Sequence, residues 1–353
     1  MVKPPIRKGN KLEIGSTRTL DKSGFCSIYD SWVEHCRKAW DIKVKLGKIT
    51  KVEEIFLAGM GGSGIAGELI RDWLEPLISV PIYVIKDHRL PNHARKGLLV
   101  AISCSGNTQE ILSVIEDASK KGLKIVTLSS GGAVSDLAKK AGHPHIESRM
   151  ISTPRTSFPY IFFPLVKLFA NLGIYDGKRE VLESFEYMHE ILGQINSKIP
   201  FESNSAKQSA NWLQDGIPVI YGANWNRAVA MRFKHQLNEN AKMHALFDIL
   251  PELCHNEVMS WESNSEHLFR PIFLRTDDEL SEISSRFDLL QDILQERGMK
   301  VHEITIPWRG MLPTALALLL MIDYISVYAA IARGVDPSST ETIDLVKKRL
   351  ASN

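Results

Sequence analysis

The sequence predicts an α/β fold with two subdomains of similar design, each a parallel sheet flanked by helices. The chain has 353 residues, which is more than one ordinary domain needs. Short apolar runs alternate with helical patterns, as they do in βαβ units. A strand, a turn of small residues and a helix also occur twice, in EIFLAGMGGSGIAGELI and in IPVIYGANWNRAVAMRF. This faint internal duplication predicts two related subdomains.

The first half begins with helical spacing of apolar residues over residues 20–50, which predicts an N-terminal helix. Apolar runs without alternating polar residues then predict four buried strands, at residues 54–59, 81–85, 97–102 and 124–128. Helical patterns that would cross between these strands occupy residues 65–74, residues 110–120 and the segment SSGGAVSDLAKKAG. An apolar helix over residues 158–172 completes this half.

A polar, mixed segment over residues 176–198 predicts the connection between two subdomains, at residues 1–175 and 199–353. The pattern then starts again, with strands at residues 218–222, 271–274 and 301–306 and helices at residues 226–244 and 279–297. The apolar stretch Met311–Ala332 contains Asp323 and falls short of the ~18–20 uninterrupted apolar residues of a membrane span. It predicts a buried helix in a core or a subunit interface.

Composition and charge exclude several classes of function. Hydrophobic residues make up 44% and charged residues 24% of the chain, which is typical of globular proteins. The 43 Lys+Arg and 41 Asp+Glu leave a net charge of +2, so there is no basic excess to bind nucleic acid. The four cysteines lack a CxxC spacing, and the N-terminal residues lack the apolar segment of a signal peptide. We therefore expect a cytoplasmic protein that binds neither nucleic acid nor membranes.

A glycine-rich loop, GMGGSG at residues 59–64, lies between the first predicted strand and its helix. Its Gly61, Gly62 and Ser63 would present backbone N–H groups to an anion at the helix N-terminus. The loop also matches the GxGxxG dinucleotide fingerprint, and Asp87 follows the next strand, where that fingerprint has an acid. The loop alone therefore predicts a phosphate site without distinguishing a dinucleotide from a sugar phosphate.

The motif SCSGNT at residues 103–108 follows the third predicted strand and favours the sugar phosphate. Ser103, Ser105 and Thr108 place three hydroxyls near a glycine and a helix N-terminus. Hydroxyl and amide donors that converge on one point suit a phosphate monoester, whose terminal oxygens each accept several hydrogen bonds. Serine or threonine here could instead only cap the helix. The neighbouring glycine loop makes phosphate binding the better interpretation.

Together these motifs resemble the sugar isomerase (SIS) domain family and, within it, the bifunctional phosphoglucose/phosphomannose isomerases. The resemblance covers nearly the whole chain through further motifs: Pro154-Arg155, NENAK at residues 238–242, His255-Asn256-Glu257 and the C-terminal IDLVKKRL. It implies two SIS-type subdomains that interconvert glucose 6-phosphate and mannose 6-phosphate with fructose 6-phosphate through an enediol(ate). It also implies no cofactor, and a homodimer with the active site at or near the subunit interface.

The resemblance also assigns roles to five residues. Glu239 would be the base, because aldose–ketose isomerisation moves a proton between C1 and C2. Arg155 would stabilise the enediolate with a permanent charge, and His255, which can come from the neighbouring subunit, would open the sugar ring. Lys347 in the last helix would lie near the sugar. Thr340 would leave room at C2, so that both epimers fit.

Three alternatives remain open at this point. A non-catalytic SIS regulator would bind a sugar phosphate, although such regulators usually carry a DNA-binding domain and the first 50 residues show no clear helix-turn-helix pattern. An NAD(P)-binding oxidoreductase would use the glycine loop for a dinucleotide. A metal enzyme would use His235, Glu239 and His255 as ligands. The enediol route needs no metal, and we expect none.

Overall fold

Two parallel sheets form the framework of the protein, which confirms the predicted fold class. The computed structural model describes residues 20–49, 51–263 and 268–351. The basic segment over residues 1–19, on which the expectation of no signal peptide rests, lies outside the described residues.

The helix predicted over residues 20–50 is shorter and broken. It consists of α1 (Phe25–Asp30) and α2 (Trp32–Trp40). Ser31 separates the two helices, because its φ of −101° and ψ of 14° depart from helical geometry. No helix continues after α2 in the described part of this segment.

The first sheet has five strands in the order β2-β1-β3-β4-β5. They are β1 (Ile55–Gly59), β2 (Ile82–Ile85), β3 (Leu98–Ser103), β4 (Lys124–Ser129) and β5 (His145–Glu147). The helices of this half are α3 (Gly61–Leu74), α4 (Gln109–Lys120), α5 (Gly132–Ala141) and α6 (Pro159–Asn171). β1 and β3 are buried along their whole length, as expected for strands covered on both faces. The sequence predicted β1 to β4, whereas the three residues of β5 are too few to give a pattern.

The predicted connection over residues 176–198 is itself mostly helical. Its helix, α7 (Lys178–Ile195), has a polar face that explains the mixed composition. Val181, Phe185 and Met188 on the other face are buried. The segment is therefore a packed part of the structure rather than a loose linker, and the subdomain boundaries around it stay a prediction.

The second sheet has four strands in the order β7-β6-β8-β9. They are β6 (Ile217–Ala223), β7 (Leu246–Leu250), β8 (Phe269–Thr276) and β9 (His302–Ile306). The helices of this half include α8 (Ser205–Trp212), α9 (Arg227–Glu239) and α10 (Ser281–Glu296). The sequence predicted β6, β8 and β9, but not β7.

The helix predicted over residues 226–244 ends earlier, at Glu239. Asn240 buries its side chain completely, and Lys242 has a φ of 54°, which a right-handed helix does not allow. These two residues turn the chain out of the helix. The turn makes room for β7, which begins at Leu246.

The two sheets share one topology, in agreement with the internal duplication predicted from the sequence. In each sheet the first strand lies between the second and the third, and the fourth follows the third. The equivalent helices α3 and α9 pack against each other. Arg227 of α9 donates hydrogen bonds to Glu68 (2.7 Å) and Asp72 (2.5 Å) of α3, which ties the two halves together.

The stretch Met311–Ala332 forms a single 22-residue helix, α11. In the described ranges it is the one helix long and apolar enough to cross a membrane, with a mean hydropathy of 2.0, and 94% of its apolar window is buried inside the protein. It is covered by α1, α7, α8 and α9. This confirms the predicted buried helix. The chain then forms α12 (Glu341–Ala351), which is exposed from residue 341 to residue 350.

Candidate active site

The candidate active site lies at the carboxyl ends of β1 and β3. These strands are neighbours in the sheet, and the strand order reverses between them, because β2 lies on the far side of β1. Open α/β sheets bind ligands at such a point. The order β2-β1-β3-β4-β5 also differs from the 3-2-1-4-5-6 order of dinucleotide-binding sheets. Asp87, the acid of the alternative fingerprint, is exposed and accepts a hydrogen bond from the neighbouring His88 N–H.

The glycine loop turns directly into α3. Gly61 has a φ of 52°, which glycine adopts without a steric penalty, and neither Gly61 nor Gly62 is buried. Ser63 is only 4% exposed, and its Oγ accepts a hydrogen bond from the backbone N–H of Cys104 at 3.3 Å. Ser63 therefore joins the glycine loop to the SCSGNT loop.

The SCSGNT loop is held together by its own hydroxyls. Ser103 Oγ lies 2.8 Å from Thr108 Oγ1 and accepts a hydrogen bond from the Gly106 N–H at 3.1 Å. Thr108 precedes α4 but does not cap it with its side chain. An anion bound here would therefore meet first-turn N–H groups that Thr108 leaves uncapped.

The residues predicted to bind phosphate fall into two groups. Those that are not buried are Gly61, Gly62, Ser105 and Thr108. Ser63 and Ser103 are buried instead: Ser63 links the two loops, and Ser103 holds the SCSGNT loop together. In the second half, β8 has the place that β3 has in the first half. The turn after β8 carries Asp277, Asp278 and Glu279, which would repel an anion. The turns of the first half, and not this one, suit a phosphate.

Arg155 lies beside the glycine loop. A Cβ placed on Gly62 would lie only 3.5 Å from the Arg155 Cα. Its side chain is buried and uses the whole guanidinium fork. The donors are Nε to Asn240 Oδ1 (2.6 Å), Nη1 to Glu239 Oε2 (3.1 Å) and Nη2 to the Pro337 carbonyl (2.6 Å). Arg155 is thus fixed in position and places a permanent positive charge next to Glu239.

Glu239 ends α9 and lines a cavity of about 870 Å³. Its side chain is 29% exposed, so the carboxylate is accessible from this cavity. Lys242, Ser339 and Thr340 line the same cavity. Glu239 therefore contacts Arg155 and shares this cavity with Thr340, while the roles of the three residues stay predictions.

A buried network supports the backbone of Arg155. Arg232 of α9 donates two hydrogen bonds to Asp323 of α11, through Nε at 2.9 Å and Nη2 at 2.6 Å. Its Nη2 also donates to the Arg155 carbonyl oxygen at 3.0 Å. Gln236 donates to Asp323 at 2.7 Å. Arg232, Gln236 and Asp323 are therefore paired with one another, and they connect α9 and α11 to the site.

Two predicted site residues lie elsewhere in the described chain. His255 is exposed at the end of the short 3₁₀ helix Glu252–His255, and Lys347 is exposed on α12. Neither lines the cavity at Glu239. A single chain does not bring these two residues to the site, and their roles stay predictions.

Sequence reasoning missed three residues that the structure places at or behind the site. Asn240 and Lys242 belong to the NENAK motif, which was noted only for its resemblance; Asn240 binds Arg155, and Lys242 lines the cavity. Asp323 was noted only as an interruption of an apolar stretch. A carboxylate inside an apolar helix indicates a buried cationic partner, although the sequence does not identify that partner as Arg232.

The alternative metal site of His235, Glu239 and His255 is not assembled. Within residues 20–49, 51–263 and 268–351, no three His, Cys, Asp or Glu side chains are grouped so that they could hold a metal ion. Burial, with a smaller effect of nearby cations, lowers the pKa of His235 to about 4. His235 is therefore a neutral side chain of α9 at neutral pH.

Comparisons with known proteins cover both halves of the chain. The SIS domain model matches residues 48–159, and the model of the bacterial phospho-glucose isomerase C-terminal SIS domain matches residues 202–350. A bifunctional phosphoglucose/phosphomannose isomerase of Caldicellulosiruptor bescii is 31% identical over 335 residues, which cover 93% of this chain and 98% of the relative. The chain belongs to the bifunctional phosphoglucose/phosphomannose isomerase family.

Two further proteins are similar to this chain, one in sequence and one in fold. A D-glucosamine-6-phosphate 4-epimerase of Sulfolobus acidocaldarius is 30% identical over 254 residues, covering 71% of this chain and 77% of the relative. A hypothetical protein of Thermus thermophilus, TT0462, has a TM-score of 0.67 and 16% identity, covering 96% of this chain and 93% of the other. At that identity the structural likeness shows the fold alone.

Proposed function

We propose that this member of the family interconverts glucose 6-phosphate and mannose 6-phosphate with fructose 6-phosphate through an enediol(ate) intermediate. The observation that carries the proposal is the pair formed by Arg155 Nη1 and Glu239 Oε2, which lie 3.1 Å apart at an open cavity. A carboxylate held beside a fixed cation fits a reaction that moves one proton and develops one negative charge.

The two loops at β1 and β3 would hold the phosphate. Backbone N–H groups of Gly61 and Gly62 and the hydroxyls of Ser105 and Thr108 would surround it, with the N-terminus of α4 adding its dipole. Gly62 lies against the Arg155 backbone. A hexose chain extending from this phosphate toward Arg155 would therefore also approach Glu239.

Proton transfer would follow from this placement. Glu239 would take the proton from C1 or C2 and return it to the other carbon, while Arg155 stabilises the enediolate oxygen without exchanging a proton. The Thr340 hydroxyl already donates to Asp344 at 2.7 Å. Thr340 is thus better suited to form a small wall at C2 than to donate a hydrogen bond to the sugar.

The proposal includes a second copy of the chain. His255 is exposed and outside the cavity, and in related SIS enzymes this histidine can come from the neighbouring subunit. The exposed α12 also presents Ile343 (41% exposed), Val346 (53%) and Leu350 (69%) at helical spacing, an apolar face that a partner would cover. Lys347 on this helix would then lie at the subunit interface.

Purified protein with fructose 6-phosphate, without added metal or nucleotide, tests the proposed activity. Coupled detection is expected to show both glucose 6-phosphate and mannose 6-phosphate. Binding of fructose 6-phosphate without turnover would favour a regulator. No product, with enhanced NAD(P)H fluorescence on mixing, would favour an oxidoreductase. Turnover of glucosamine 6-phosphate in place of fructose 6-phosphate would favour a 4-epimerase.

Mixed dimers test whether His255 acts in the partner's site. Glu239→Gln and His255→Ala chains are each expected to be inactive alone. After joint refolding, a mixed dimer would carry one site with an intact Glu239 and an intact His255 from the other chain. Recovered activity supports the shared site. Activity that stays at the level of the separate variants, despite mixed dimers seen by native mass spectrometry, contradicts it.

A further inference from the structure

Lys242 has an unusual backbone conformation. Its φ is 54°, and among the residues that the structure describes no other non-glycine residue has a positive φ. For residues with a Cβ this conformation is sterically unfavourable, and it persists where the surroundings hold it in place. Such residues are concentrated at functional sites. Lys242 follows Glu239 closely and lines the same cavity.

The Lys242 ammonium bridges two parts of the cavity wall. Nζ donates to the carbonyl oxygen of Glu239 at 2.5 Å and to the carbonyl oxygen of Ser339 at 2.9 Å. The first contact is local, whereas the second reaches a segment 97 residues away. Lys242 thus connects the C-terminal end of α9, where Glu239 lies, with the segment that leads into α12.

The segment next to Ser339 is held by a second cation of the site. Arg155 Nη2 donates to the carbonyl oxygen of Pro337 at 2.6 Å. Within residues 336–340, the two cations therefore bind carbonyl groups two positions apart. Because peptide carbonyls are neutral, each contact fixes the position of the main chain without neutralising the charge.

Thr340 is fixed by its neighbours on both sides. Its carbonyl accepts a hydrogen bond from the Asp344 N–H at 2.9 Å, and its hydroxyl donates to the Asp344 carboxylate at 2.7 Å, so that it forms the start of α12. On the other side, the peptide of Ser339 is bound by Lys242. The distance between Thr340 and the Glu239 carboxylate consequently depends on the length of the Lys242 bridge.

We propose that Lys242 is a positioning residue that determines the ratio of the two epimers by fixing the wall at Thr340. This inference rests on the proposed function, in which Thr340 faces C2 of the sugar. Glucose 6-phosphate and mannose 6-phosphate differ only in configuration at C2. The space between the base and this wall therefore decides which face of the intermediate receives the proton.

The variant Lys242→Met tests the inference through the ratio of mannose 6-phosphate to glucose 6-phosphate formed from fructose 6-phosphate at initial rate. Methionine has a Cβ and an unbranched side chain, so it meets the same backbone cost at φ 54° and removes the ammonium group, with its charge and its hydrogen-bond donors. Both products come from the same molecules. Their ratio is therefore independent of the fraction of enzyme that is folded.

We expect the epimer ratio of Lys242→Met to differ from that of the unaltered enzyme by about threefold or more, the effect of one net hydrogen bond. Lys300→Met, at an exposed lysine between α10 and β9, serves as the control and should leave the ratio unchanged. A ratio in Lys242→Met that stays within threefold of the unaltered enzyme overturns the inference. Failure of the unaltered enzyme to form either product would instead overturn the proposed function.

Hydrogen exchange decides the outcome if Lys242→Met has too little activity for a ratio. Amides of residues 339–344 should then exchange at least about tenfold faster than in the unaltered protein, relative to amides of α4. Unchanged relative exchange in this segment would show that Lys242 does not hold the wall, and would overturn the inference on its own.

Discussion

The guanidinium of Arg155 has three partners in three directions, an arrangement that one ammonium group cannot reproduce. Nε, Nη1 and Nη2 bind Asn240, Glu239 and the Pro337 carbonyl. Arg155→Lys keeps the charge and loses the fork geometry. We expect kcat to fall about 100-fold, and the free energy of unfolding to fall by about 1–3 kcal/mol because buried acceptors lose their donors.

Steady-state kinetics and urea unfolding measure both effects of Arg155→Lys. Arg179→Lys is the matched control, because Arg179 is an exposed residue whose partner is one turn away on α7. If Arg155→Lys retained full kcat, the guanidinium geometry would have no role in catalysis.

Glu239→Gln removes the proposed base while keeping the size of the side chain. Turnover is expected to fall about 1,000-fold, because an amide cannot accept the proton from carbon. Binding of fructose 6-phosphate, measured by calorimetry, should change by less than about threefold. Glu296→Gln, at an exposed glutamate ending α10, is the control. More than a tenth of the original turnover in Glu239→Gln would assign the proton transfer to another residue.

Individual residues could be predicted from the sequence when they belonged to motifs, and not when their contacts were remote. The motifs identified Glu239 and Arg155, and the structure places these two side chains in contact although they are 84 residues apart. The support behind them comes from contacts such as Arg232 with Asp323, 91 residues apart. No local pattern encodes which of many residues meet across a core, so this support could not be derived.

At the level of elements, the loop after β3 and the loop after β4 interlock at Gly106. Gly106 has a φ of 72°, and a Cβ placed on it would lie 1.7 Å from the Gly131 carbonyl oxygen. Gly106→Ala must therefore push the two loops apart. We expect the free energy of unfolding to fall by at least about 2 kcal/mol more than in Gly122→Ala, and KM for fructose 6-phosphate to rise about tenfold.

Gly122 is a closely matched control for this change. Its φ is 73°, and nothing lies within 4 Å of a Cβ placed there. Both variants meet the same backbone cost, so the difference between them measures the steric conflict alone. Equal losses in the two variants, by denaturant unfolding, would mean that the loops separate without cost.

Elements with a strong and complete pattern were predicted, and those decided by tertiary contacts were not. Buried strands such as β1 and β3 have short, continuous apolar runs, and this pattern is typical of strands that are covered on both faces. The end of α9 depends on Asn240, whose side chain binds Arg155 from a distant loop. A one-dimensional pattern extended this helix to residue 244, two residues before β7 begins at Leu246, and β7 itself was not predicted.

For the molecule as a whole, His235 makes stability depend on pH. Burial lowers its folded pKa to about 4 from an ordinary value of 6.5. As pH falls from about 6.5 to 4, the unfolded chain binds a proton that the folded protein does not, so stability is lost. We expect a loss of about 1–2 kcal/mol at pH 5 from this residue.

The comparison with His235→Gln isolates this effect from other titrating groups. Urea unfolding at pH 7 and pH 5 should show a smaller acid-induced loss in the variant. An identical loss in both proteins would mean that His235 is protonated as readily in the folded state as in the unfolded chain.

The two halves of the molecule cannot be separated without exposing α11. This helix is buried on every face, and the helices that cover it come from before, within and after the predicted connection at residues 176–198: α1 precedes it, α7 lies in it, and α8 and α9 follow it. A gene split at this connection would give a second product with an apolar helix open to water. The second half therefore has no complete interior of its own, even though its sheet repeats the strand order of the first.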